Sequence, residues 1–208
     1  MKNTFGSSVS ITVFGESHGA AVGAVLDGIA PGITVDEAFL RSQLDLRRPV
    51  GDISTPRHEP DEFVIESGVF NGKTTGTPIC VLIPNVNTKS KDYSLMRSVA
   101  RPGHADYSAY CKYHGFEDYR GGGHFSGRIT AAVVAAGAIA VSALRNKGIF
   151  IGTHIASVAD VKDRGFKDID ADIRALAKKQ FAVLDDSLAE DMKDRIRAAR
   201  SDGDSVGG

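Results

Sequence analysis

An uncharged, alanine-rich run over residues 129–144, bounded by Arg128 and Arg145, constrains the fold of this chain more than any other feature. Small side chains on every side let a helix pack closely all round, and the flanking charges mark where it leaves the core. The run falls short of the roughly eighteen residues that a membrane span requires. It therefore predicts a long buried helix over residues 126–146, ended by Lys147-Gly148. With 42% hydrophobic and 25% charged residues, the chain can build a core around that helix and is not a disordered polymer.

The remaining pattern is set by glycine. Most of the 23 glycines punctuate short apolar runs in the first 130 residues. Residues 9–14 and 21–26 flank Gly15-Glu16-Ser17-His18-Gly19 and read as a β-hairpin with a polar loop. Thr34-x-x-Glu37 is a capping-box pattern, with Phe39, Leu40 and Leu44 on one face, which predicts a helix over residues 35–46. Residues 63–69 and 79–84 read as a second strand pair. An aromatic segment over residues 92–119 holds all five tyrosines. Residues 149–158 read as a strand, and Ser187-x-x-Glu190 opens a charged helix that buries Leu188, Met192, Ile196 and Ala199.

Composition removes several classes of function. Twenty-five Lys+Arg balance 26 Asp+Glu, for a net charge of -1, so a general nucleic-acid coat is excluded. Cys80 and Cys111 make no disulfide framework, and the N-terminus lacks the apolar core of a signal peptide. The expectation is a reduced, cytoplasmic protein without membrane partners. His58, His114 and His154 lack metal spacing, so no metal site is expected.

Three segments carry chemistry. Gly15-Glu16-Ser17-His18-Gly19 matches a nucleophile elbow, which opens a serine esterase reading. An elbow, however, needs earlier sheet strands and a following apolar helix, and neither is present in the pattern. Arg120-Gly121-Gly122-Gly123-His124-Phe125-Ser126-Gly127-Arg128, at the mouth of the long helix, combines close backbone approach, unpaired N–H groups and two cations. That is an anion site, and it leaves open a non-catalytic anion-binding module. Arg101-Pro102-Gly103-His104-Ala105-Asp106 sets a histidine beside a turn, ahead of an aspartate able to cap a helix. Arg47, Arg48 and Arg57 form a second cationic patch.

Taken in order, these segments resemble the chorismate synthase family. The resemblance is carried by Gly15-Glu16-Ser17-His18-Gly19, Asp27-Gly28-Ile29-Ala30-Pro31-Gly32 and Arg47-Arg48-Pro49. It continues through Ser67-Gly68-Val69-Phe70-Asn71-Gly72, Thr75-Gly76-Thr77-Pro78, Arg101-Pro102-Gly103-His104-Ala105-Asp106 and Asp118-Tyr119-Arg120-Gly121-Gly122-Gly123. It implies an α+β fold, a β-α-β sandwich with mainly antiparallel strands, in an enzyme that assembles as a homotetramer. It also implies a lyase of the shikimate pathway and aromatic amino-acid biosynthesis. Such enzymes convert 5-enolpyruvylshikimate 3-phosphate to chorismate and phosphate by 1,4-anti elimination, and they require reduced FMN. NADPH or an outside reductase supplies the reducing equivalents.

By resemblance, His18 is the general acid at the leaving phosphate, and His104 lies near the flavin. Ser17, Arg47, Arg48 and Arg128 bind substrate, and His124, Phe125 and Ser126 line the FMN. Many relatives read Arg-Ser-Ser-Ala-Arg at residues 124–128 and Arg-Arg-Arg-Pro-Gly at residues 46–50, so both segments depart from the family pattern. The further expectation is that residues 1–208 are the front part of a single family domain, without the later part that completes the flavin site.

Overall fold

The computed structural model describes residues 2–88 and 98–208. They form two compact units: residues up to 45 together with 58–143, and residues 46–57 together with 144–208. In chain order the elements begin with β1 (Thr4–Gly6), β2 (Ser10–Gly15), β3 (Ala21–Asp27) and α1 (Glu37–Arg47). Next come β4 (Val64–Ser67), the small hairpin β5 (Val69–Phe70) and β6 (Lys73–Thr74), and β7 (Ile79–Pro84). Then follow α2 (Asp106–Tyr113) and α3 (Thr130–Arg145), and after them β8 (Ser157–Val158), β9 (Val161–Lys162), α4 (Ile169–Leu176) and α5 (Ala189–Ser201). Helices beside an all-antiparallel sheet make the chain α+β, as expected.

The first unit is built on a five-stranded sheet in the order β1-β2-β3-β7-β4. The expected hairpin is β2–β3, whose register sets Gly15 opposite Val22. Between β3 and β7 the register pairs Val22 with Ile83, Ala24 with Val81 and Leu26 with Ile79. Side chains alternate across a strand, so these six residues share one face, and all six are buried. Leu40 and Leu44 of α1 and Ala131, Ala135, Ala138 and Ile139 of α3 close over the same core. Ala132 and Ala136 meet Ala24. Alanine at this contact lets α3 approach the sheet closely.

Several sequence expectations change. A 3-10 turn, Gly127–Ile129, leads into α3, so the apolar helix runs over Gly127–Arg145. Its 19 residues satisfy the length and composition of a membrane span, contrary to the shorter span read from the sequence. The cap of α1 is Asp36, whose Oδ1 accepts the Phe39 N–H at 2.8 Å, rather than Thr34. Thr34 instead bridges to Lys73.

In the second unit, strand structure within residues 149–158 is confined to Ser157–Val158, paired only with β9. Ile149, Phe150 and Ile151 remain about half exposed, and among the described residues no strand pairs with them. The unit's core is Val158, Val183 and Met192, with Ile155, Phe181 and Ile196 packed against it. Asp185, not Ser187, starts the last helical stretch by accepting the Ser187 N–H at 3.0 Å. Of the aromatic segment, residues 92–97 lie outside the described residues.

Candidate active site

The polar loop between β2 and β3 is fastened from two sides. The Asn85 side-chain amide, just past β7, donates to the Glu16 and Gly19 carbonyls, each at 2.9 Å. The Ser17 N–H donates to the Gly123 carbonyl at 3.0 Å. Asn85 in turn accepts from Arg128 Nε at 2.8 Å. The result is a fixed loop with Ser17 fully buried and His18 nearly so.

Gly121, Gly122 and Gly123 all have positive φ, at 59°, 81° and 54°. The reason lies in their neighbours. A Cβ at Gly121 would fall 2.5 Å from His18 Cδ2 and 3.0 Å from Ser17 Oγ. One at Gly122 would fall 2.7 Å from His104 Cε1, and one at Gly123 would meet the Asp118 carbonyl. Only bare backbone fits between these groups. The triplet thus brings together His18 and His104, residues 86 apart in the sequence.

Each histidine has an acidic neighbour. His104 Nδ1 lies 2.6 Å from Asp106 Oδ1, and Asp106 grips the Arg101 Nε and Nη2, each at 2.8 Å. The Arg101 guanidinium holds the Asp106 carboxyl far below the usual carboxylate range. Asp106 therefore does not cap α2, as the sequence suggested; Ala105 is its N-cap. Asp118 is bound by Arg120 at 2.7 and 2.8 Å and lies within electrostatic reach of His18. The Arg120 hydrogen bond is the main cause holding Asp118 below its ordinary range.

Arg128 departs from the expected substrate contact. Its side chain is 3% exposed and pairs with Asp61, itself fully buried, while Nη2 donates to the Pro84 carbonyl at 3.2 Å. With Nε on Asn85, the guanidinium is engaged within the protein, and its work is to hold the loop that carries Ser17 and His18. Asp61 and Asn85 escaped the sequence reading. They lie 67 and 43 residues from Arg128 in the sequence, and no local pattern marks them.

A cleft of about 720 Å³ opens beside the triplet, within the range of small-molecule sites. Phe14, Tyr107, Tyr110, Tyr113, Tyr119 and Phe125 supply its aromatic wall, and Glu16, Asp106, Asp118 and His124 its polar groups. His124 and Phe125 are thus brought together, whereas Ser126 accepts the Arg128 N–H and starts the 3-10 turn. His124 Nδ1 lies 2.9 Å from the Gly15 carbonyl. These walls suit a flat ring system such as a flavin. Its phosphate is a different matter: none of the described residues that line the cleft is Lys or Arg.

The second unit holds the other expected cations. Arg47 ends α1 and Arg48 follows it, both partly exposed. Gln180, also unforeseen, donates to the Leu46 and Arg48 carbonyls at 2.8 and 2.9 Å and fixes the turn there.

The esterase reading fails on this geometry. The loop joins two antiparallel strands, no helix follows it, and Ser17 is closed off from solvent. Fold and site define instead an α+β protein in which a glycine turn packs against His18 and His104 and borders an aromatic cleft at Gly122. A family model described as chorismate synthase matches residues 9–208. The chorismate synthase of Sulfurimonas denitrificans is 45% identical over 207 residues, covering 99% of this chain and 56% of that protein. That of Aeropyrum pernix is 44% identical, covering 99% and 54%. A crystal structure of chorismate synthase aligns with TM-score 0.71 at 26% identity, over 96% of this chain and 56% of the other. The chain belongs to the chorismate synthase family, and it spans just over half the length of these relatives.

Proposed function

We propose that this chain carries the histidine portion of a site that eliminates phosphate from 5-enolpyruvylshikimate 3-phosphate to give chorismate, with reduced FMN. The observation behind this reading is the Gly121–Gly122 backbone, which lies against His18 at one residue and His104 at the next. The substrate carries a phosphate and two carboxylates, so an acid at the leaving phosphate and cations at the carboxylates are the natural division of labour. His18 protonates the departing phosphate oxygen. Arg47 and Arg48 bind the anionic groups, with Ser17 holding its loop in place through Gly123. Arg128 acts from behind, through Asn85.

Reduced FMN, when bound, supplies the electron-rich ring that the elimination requires. Tyr113, His124 and Phe125 would face that ring, and His104 would hold a proton near it. The phosphate of the cofactor needs cations outside the cleft lining. NADPH as reductant, a cytoplasmic setting and a homotetramer belong to the same reading.

The test is an anaerobic assay with reduced FMN and 5-enolpyruvylshikimate 3-phosphate, following chorismate. The reading predicts product only with reduced flavin, and a fall of about 10²- to 10⁴-fold in His18→Ala, the usual weight of one general acid. Product with oxidised flavin, or turnover unchanged by His18→Ala, overturns it.

A further inference from the structure

Three groups from two parts of the chain close on the His104 ring. Asp106 Oδ1 is 2.6 Å from Nδ1. Arg101 Nη2 is 3.1 Å from Nδ1 and 3.3 Å from Nε2. The Gly122 backbone lies along the far edge, where a Cβ would be 2.8 Å from Nε2. A purely structural Arg101–Asp106 pair would be complete without the ring. The fork already has Arg101 Nε and Nη2 on the two carboxylate oxygens, and the Arg101 N–H adds a third bond at 3.0 Å. The histidine contact is an addition to it.

Donor and acceptor rules decide the proton's place. Asp106 is an ionised acceptor, held so by Arg101, and Arg101 is a donor only. An unprotonated Nδ1 would set two acceptors 2.6 Å apart, which is repulsive. A proton on Nδ1 satisfies Asp106 and leaves Nε2 to accept from Arg101 Nη2. We propose that Asp106 and Arg101 are the positioning residues of His104: the carboxylate fixes the ring as its Nδ1–H tautomer, and Nε2 is left as its acceptor nitrogen beside Arg101. This rests on the reading that His104 takes part in the elimination.

The test reads the ring directly. In the chain labelled with ¹⁵N at histidine, long-range ¹H–¹⁵N correlations distinguish the two tautomers, and His104→Gln identifies the signal. The native chain is expected to show Nδ1–H in excess by about tenfold or more, the weight of one charge-assisted hydrogen bond. Asp106→Asn should reduce that ratio to near unity or reverse it. Arg101→Gln keeps the carboxylate and should keep Nδ1–H, which guards against an Asp106→Asn chain that fails to fold. A native Nε2–H pattern overturns the proposal, as does an unchanged ratio in folded Asp106→Asn. The spectrum does not depend on turnover, so a failed assay and a failed tautomer pattern are distinguishable.

Discussion

Gly121–Gly123 and Arg128 show how a side chain's meaning depends on what meets it. From sequence, the triplet reads as backbone open to an anion. In the structure the same freedom accommodates the chain's own His18 and His104. His18 and His104 were singled out through the family resemblance, since a histidine in a short polar loop by itself reads as solvated. Arg128 is engaged with Asp61 and Asn85, and a charge at a helix mouth looks exposed until its buried partner is known. That burial yields a prediction. Arg128→Met takes the guanidinium from Asp61, which is fully buried, and should destabilise the chain by about 3–5 kcal/mol in urea unfolding. Adding Asp61→Asn should recover a good part of the loss, because the uncompensated charge is gone. If the two losses simply add, the strut account is wrong.

At the scale of elements, alternation and helical period found β2, β3, β7 and α3, where burial on one face imposes the pattern. They failed where tertiary contacts decide. Residues 149–154 form no ladder with any described strand, and the Ile155 N–H and Ala156 carbonyl bond instead to the Ala182 carbonyl and the Asp163 N–H. Helix α4 went unread although Ile169, Ile173 and Leu176 recur at helical spacing; it is fixed by Asp168, which accepts the Ala171 N–H, and by Asp172 on Arg164.

Between these elements lies Asp163. Burial works against its ionisation, yet the N–H groups of Leu184, Asp185 and Arg164 and the His154 ring together hold it below its ordinary value of 3.8. A carboxyl lowered in the folded state binds fewer protons there than when unfolded. Its contribution is therefore complete above the unfolded value, near pH 4, and is lost as pH falls through the folded value. Asp163→Asn should lower stability at neutral pH by roughly 2–3 kcal/mol, through bonds to a charged acceptor. It should also flatten the acid limb of stability against pH. An acid limb identical to that of the native chain would show that Asp163 plays no such part.

Across the whole molecule, family membership was legible from the order of many short motifs, each weak alone. The division into two units was not, because residues 46–57 join the second unit from within the first half of the chain. The cleft was only half legible. His124 and Phe125 face it, but its wall of tyrosines comes largely from α2 and the turn that follows, brought there by folding.

The central claim is that His18 and His104 share one substrate site. It is tested most directly by titrating the ¹⁵N-histidine chain with 5-enolpyruvylshikimate 3-phosphate. The account predicts that the His18 and His104 ring signals move together, with one common midpoint. His154, bound to Asp163 in the other unit, should stay still. Motion of His154 alone, or two unrelated midpoints for His18 and His104, would contradict it.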